Sequence, residues 1–243
     1  MLIFELPFAI AKGIKNKNMK YKYFFIFVHF IFISKAQIPT GFKPIFNGKN
    51  LKGWHISRTT HQGTTPNFFV QNGAIVGKEK PYGQGGLLLT DKKYKAFELY
   101  LEVKLDSMCN SGLFLRSNEG GAAYQIELAI PGNTGDLLGE RLSPSKGAIA
   151  KGFEKIWNAG GWNSFRIRME GDIPKLKLWI NGTEMWEVQQ TKNDFIGGET
   201  EGMIALQCHW TALYSKTAGN GMPLTSWKPN AEIKFRNIGI MEL

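Results

Sequence analysis

Phe97-Glu98-Leu99-Tyr100-Leu101-Glu102-Val103-Lys104-Leu105 carries an apolar side chain at every odd position and a polar or amphipathic one at every even position. Side chains on a strand point alternately to opposite faces, so this pattern describes an antiparallel strand with one face buried. The same signature recurs on either side of it. Residues 175–180 and 183–188 flank Asn181-Gly182, a pair suited to the positive φ angles of a two-residue type I′ turn. Residues 68–70 and 74–76 flank Asn72-Gly73 in a second hairpin. Further strands are expected at 87–90, 112–117, 124–129, 164–169, 203–209 and 233–241. Long stretches of helical period are few. About a dozen short strands with Gly- and Asn-rich turns predict an all-β, two-sheet antiparallel sandwich. Three irregular stretches remain, at 55–67, 131–146 and 210–231, and loops of that length in a small domain often carry function.

Composition narrows the function classes. The chain has 243 residues, with 30 Lys and Arg against 20 Asp and Glu, a formal net charge of +10. Two cysteines cannot build a disulfide-dense scaffold or a four-thiolate zinc site. The positive balance invites a polyanionic partner, but its distribution argues otherwise. Residues 1–36 hold six lysines and one acid, so half of the excess lies there. Within them Tyr23 to Ile33 form a run of eleven residues interrupted only by His29, too short to span a bilayer. Lys20 and Lys22 precede the run, and Ser34-Lys35-Ala36 follows it. A basic start, a short apolar centre and a small-x-small exit describe a secretory signal peptide cut near Ala36/Gln37. Met19 opens this unit and is the expected true start, with residues 1–18 a mis-assigned extension. The mature chain, 37–243, is expected to be a single secreted or periplasmic domain with no membrane anchor after cleavage. Its charges are scattered singly, with no basic run interleaved with aromatics, so nucleic acid is not an expected partner.

Several motifs resemble one family in order along the chain. Ile45-Phe46-Asn47-Gly48-Lys49-Asn50-Leu51-Lys52-Gly53-Trp54 resembles its opening motif, and Asn110-Ser111-Gly112-Leu113-Phe114-Leu115-Arg116 its "NSGifLR" strand. Lys146-Gly147-Ala148-Ile149, Gly161-Trp162-Asn163 and Trp179-Ile180-Asn181-Gly182 are similar to three further pieces. Ile204-Ala205-Leu206-Gln207-Cys208-His209 and Lys234-Phe235-Arg236-Asn237-Ile238 are similar to its closing segments. On these residues the chain resembles the 3-keto-disaccharide hydrolase domain family, whose members are described as 3-keto-glucoside 1,2-lyases and 3-keto-2-hydroxy-glucal hydratases. The resemblance spans residues 42–243 and implies a concanavalin A-like jelly roll. It also implies a carbohydrate substrate, a 3-keto-glycoside. The chain departs from the pattern at Ala150, where the family usually has Tyr, and at Tyr124-Gln125-Ile126-Glu127, where its acid positions are shifted.

The chemistry implied sets the residues to look for. A ketone at C3 acidifies the C2 hydrogen, a base removes that proton, the C1–O bond breaks, and water then adds to the glycal. Such a site needs a base with pKa near the working pH, donors for the developing enolate, and hydroxyl-binding side chains. His209 is the expected base, because it is the one histidine inside a resembling motif and neutral imidazole suits neutral pH. Arg116 is a candidate for holding enolate or hydroxyl oxygens with its planar fork. Glu127 is a candidate acid/base or metal ligand. Asn110, Gln125, Gln207 and Trp210 are candidates for binding sugar, Gln207 because it alternates with His209 along one strand. Tyr214 and Trp227 serve either to stack on sugar or to anchor the late loop, and Arg236 and Asn237 read as structural. A divalent metal is compatible with this chemistry, but no metal-ligand spacing such as His-x-x-x-His is present. A disulfide between Cys109 and Cys208 is left open by the spacing. Two other classes compete: a non-catalytic carbohydrate-binding module on the same scaffold, and a laminarinase-type glucan hydrolase. The second lacks the Glu-x-Asp-x-x-Glu strand that would place its two carboxyls on one face.

Overall fold

A computed structural model of the chain describes residues 37–64, 67–211 and 227–243; the expected leader over 1–36 and Tyr214 lie outside the described residues. The described residues form fourteen strands. The first five are β1 (Lys43–Pro44), β2 (Trp54–Ile56), β3 (Asn67–Gln71), β4 (Ala74–Lys78) and β5 (Gly86–Thr90). Next come β6 (Phe97–Leu105), β7 (Cys109–Ser117), β8 (Ala123–Ile130), β9 (Leu137–Glu140) and β10 (Asn163–Glu170). The last are β11 (Lys175–Ile180), β12 (Thr183–Gln189), β13 (Met203–Cys208) and β14 (Ile233–Glu242). One 3₁₀ turn, Phe153–Lys155, lies between β9 and β10.

All strand pairs are antiparallel, and they form two sheets. The larger has eight strands, in the order β12-β11-β10-β6-β14-β4-β3 with β1 paired to β14; the smaller has six, in the order β2-β5-β13-β7-β8-β9. Phe97, Leu99, Leu101, Val103 and Leu105 from β6 join Leu113, Leu115, Tyr124, Ile126, Leu128, Ile204 and Leu206 in one apolar cluster. Residues of both sheets thus share one core, as face-to-face packing requires. The expected two-sheet antiparallel sandwich is what the chain forms.

Three local departures from simple alternation matter. Glu98 and Glu102 occupy even positions of β6, yet both are buried. Arg168 stands directly across from Glu98 and Arg236 across from Glu102, and their guanidinium groups fold over the two carboxylates. The strands β5 and β13 are buried along their whole length. A second apolar cluster, Leu87, Leu89, Phe114, Ala123, Met203 and Ala205, covers part of the outer face of the six-stranded sheet. This is why Leu87-Leu88-Leu89 reads as a continuous apolar run. The third departure is a β-bulge. Met203 pairs with Ser117 but Ala205 with Phe114, and Arg116 sits at φ 53°. The extra residue breaks the alternation and turns Arg116 off the face that Phe114 occupies.

Two short strands lie inside stretches expected to be irregular. β2 takes up His55 and Ile56 at the edge of the six-stranded sheet, and β9 arises within 131–146 at the opposite edge. Both are too short to show a period.

Candidate active site on the outer face of the six-stranded sheet

The site is built on the row where β13, β7 and β8 lie side by side. Gly112 of β7 is paired with Glu127 of β8, and Leu113 with Leu206 of β13, which sets Gln207 beside Gly112. Gly112 has no side chain, and that vacancy is used. A Cβ there would come within 2.7 Å of Gln125 Nε2 and 2.9 Å of its Cγ. The bare glycine lets Gln125 lie across β7. From there its amide donates to Glu127 Oε2 at 2.7 Å and to Gln207 Oε1 at 3.4 Å. Three of the expected residues are thereby brought together on one face.

Glu127 is 9% exposed, and Asn110 Nδ2 donates to its other oxygen at 3.0 Å. Burial pushes its carboxyl up to about 7; the Asn110 hydrogen bond opposes the shift, and the charges of Asp136 and Glu140 add to it. A carboxyl at that value shares its time between acid and base at neutral pH, the condition that suits general acid–base work.

His209 follows directly on β13, which ends one residue earlier than the expected 203–209 strand. Its backbone N–H points at the Asn110 carbonyl, at 3.4 Å. Its Nδ1 lies 2.6 Å from the Trp210 carbonyl, so Nδ1 carries the proton and Nε2 keeps the lone pair. Burial holds the imidazole below its ordinary pKa, and nearby His61 adds to the effect, while the Trp210 carbonyl opposes it. At neutral pH this is an uncharged imidazole in the tautomer that a base at Nε2 requires. The Trp210 ring stacks beside it at 5.8 Å between centroids and is 40% exposed.

Around these groups stand residues that the sequence reading missed. His61 Nε2 lies 3.2 Å from Glu140 Oε1, and Arg141 Nε donates to His61 Nδ1 at 2.9 Å. Gln62, only 1% exposed, reaches toward Glu140 from the same loop. Glu140 is paired with Ala123, which puts it on the same outer face as Gln125 and Glu127. Gln207 Nε2, Asn110 Oδ1 and Gln62 Oε1 are buried with no hydrogen-bond partner among the described residues. Unsatisfied amide atoms in a buried setting are costly.

Arg116 does not join this group. Its Nε donates to the Lys95 carbonyl at 2.8 Å, and its Nη2 binds the same carbonyl and that of Gly171. Gly171 follows β10, so the side chain staples one sheet to the other from a site that is 1% exposed. The bulge that turns it inward leaves no alternation signal in the sequence. Trp227 is likewise an anchor: it is 1% exposed, and its Nε1 donates to the Asn110 carbonyl at 2.7 Å. Arg236 and Asn237 both bond Glu102 within the eight-stranded sheet, away from this face. Cys109 and Cys208 are free, buried thiols. Burial pushes the first up to about 12 and the second well above its usual value, which makes both poor nucleophiles. Among the described residues no group of three or more His, Cys, Asp and Glu side chains is disposed to hold a metal ion.

A jelly-roll sandwich with a buried carboxyl and an imidazole on either side of Asn110, and a row of amides on one sheet face, defines a class of protein suited to polyhydroxylated ligands. Comparison with known proteins narrows the class. The 3-keto-alpha-glucoside-1,2-lyase-like domain matches residues 41–241, and the chain belongs to that family. A 3-keto-disaccharide hydrolase of Bacteroides thetaiotaomicron is 31% identical over 93 residues, an alignment that covers 36% of this chain and 32% of that protein. Two solved structures of Parabacteroides distasonis proteins named as glycosyl hydrolases share the fold. One superposes with a TM-score of 0.53 at 19% identity, over 84% of this chain and 94% of its own. The other gives 0.52 at 21% identity, over 83% and 99%.

Proposed function

We propose that the protein is an exported enzyme that cleaves 3-keto-glycosides by elimination across C1–C2 followed by hydration. The observation that carries the reading is Asn110, whose side chain donates to the buried Glu127 carboxyl and whose carbonyl accepts the His209 N–H, so that carboxyl and imidazole flank one residue. His209 Nε2 takes the C2 proton. The electron pair left behind forms the C1–C2 double bond, the C1–O bond breaks, and Glu127 in its protonated form gives its proton to the departing oxygen. The pair is then in the state that hydration needs. Ionised Glu127 takes a proton from water as its oxygen adds to C1, and the imidazolium returns a proton to C2. Net hydrolysis results, and both groups are reset. Asn110, half-buried beside Glu127, and the 40% exposed Trp210 are the groups placed to meet sugar oxygens and a sugar face. Family membership and the relative's name support the substrate class, and the leader composition supports export.

The test is to offer the protein matched p-nitrophenyl glucoside and its 3-keto derivative. Release from the keto compound alone is expected. Release from the plain glucoside would point to a conventional glucan hydrolase, and binding without turnover of either to a carbohydrate-binding module.

A further inference from the structure

The polar row does not end at Glu127. The Glu127 N–H donates to the Asp136 carbonyl at 3.0 Å, and Gln125 is paired with Leu138 of β9. Beyond β9, Leu137 is bridged to Ala148, and both pack into or against the core. Their neighbours Leu138 and Ile149 therefore face outward, on the side of the sheet that carries Gln125 and Glu127. They are 41% and 63% exposed. Strands lie about 4.8 Å apart and rise about 3.4 Å per residue, which puts both side chains roughly 8–10 Å from the Glu127 position, about one sugar ring away.

The direction of the chemistry says what lies there. His209, at the end of β13, acts on C2, and Glu127, two strands away, protonates the oxygen on C1. The bond from C1 to the leaving group therefore points from Glu127 away from His209, across β9. We infer that Leu138 and Ile149 form a leaving-group subsite that takes an apolar or aromatic aglycone. This assignment rests on the proposed elimination and on the roles of His209 and Glu127 in it. The polar amides hold the keto sugar on one side of the scissile bond, and the two aliphatic side chains hold the aglycone on the other.

The experiment compares benzyl and methyl 3-keto-glucosides, whose leaving oxygens are both alkoxides, so chemistry is matched and only apolar surface differs. Ile149→Ser and Leu138→Ser change exposed positions and are measured beside Ile149→Leu. The wild type is expected to show a lower KM for the benzyl compound. Each serine variant should raise that KM roughly five- to tenfold, with kcat and the methyl KM unchanged and with Ile149→Leu retaining the preference. If serine variants leave the benzyl-to-methyl KM ratio as in wild type while cleavage persists, the subsite is wrong and the mechanism stands. If wild type cleaves neither compound, the mechanism fails and takes the subsite with it.

Discussion

The outer faces of the two sheets spend their polar residues in opposite ways. On the eight-stranded sheet the charges answer one another. Glu98 is bound by Arg166 and Arg168, Arg168 also by Glu170, and Lys177 by Glu184 and Glu187. Trp179 lies beneath Arg166 and Lys177, and Trp162 beneath Arg236. On the six-stranded sheet the polar groups are fewer, more deeply buried and incompletely partnered, with three amide atoms left over and one carboxyl pushed up to about 7. A face whose charges close on themselves solubilises and stiffens a sheet. A face that buries polar atoms without satisfying them gives up stability, as functional sites commonly do.

Disabling one group on the open face should have the largest effect. Glu127→Gln cannot donate a proton to a poor leaving group, so kcat/KM for methyl 3-keto-glucoside should fall about 10²–10⁴-fold. Its effect on a p-nitrophenyl aglycone, which leaves without help, should be far smaller. His209→Ala should depress both substrates by a similar factor, since every leaving group needs the C2 proton removed. Equal losses for Glu127→Gln on the two aglycones would remove the carboxyl from the role of acid.

Gly112→Ala tests the floor of the site. A Cβ at 2.7–3.0 Å from the Gln125 amide forces that side chain off Gln207 and Glu127. Activity should fall roughly tenfold with the melting temperature little changed, because the displaced group is a flexible side chain. Arg116→Met should do the reverse. It leaves the Lys95 and Gly171 carbonyls without their donor and should cost about 2 kcal/mol in denaturant unfolding, with kcat intact.

Linkage gives a further contrast. The Glu127 pKa in the fold is raised above its unfolded value, so its contribution is present below about 4.5 and is lost as pH rises through about 7. Glu127→Gln should therefore be more stable than wild type at pH 8, by up to ~3 kcal/mol, and show no advantage at pH 4. The smallest effect is expected on the closed face. Arg166 is 47% exposed in its side chain, and Arg166→Ala should change stability by less than about 1 kcal/mol and activity not at all.

The sequence disclosed the frame of this molecule better than its active face. Alternation located β6, and Asn-Gly pairs located the turns joining β3 to β4 and β11 to β12, because period and turn chemistry are local properties. Strand parity put Gln125 with Glu127 and Gln207 with His209, while the register of β13, β7 and β8 is what brings Gln207 to the face of Gln125 and Glu127. Arg116 was a candidate for its planar fork alone, and the bulge that turns it into the core leaves no mark in the alternation. His61, Gln62, Glu140 and Arg141 were not legible. They sit on an irregular loop and at the end of a four-residue strand, and only the tertiary pairing of β8 with β9 brings them together. The burial of Glu127 was equally hidden, since a lone acid on a strand reads as a solvated face until the loops above it are placed.

The proposed cleavage needs Glu127 protonated while His209 is neutral, and the pH dependence of kcat/KM for methyl 3-keto-glucoside tests this directly. Activity should rise as His209 loses its proton below pH 6.5 and fall again as Glu127 ionises near pH 7, a narrow bell with its alkaline limb at about 7. A rate that stays level from pH 6.5 to pH 9 would contradict it.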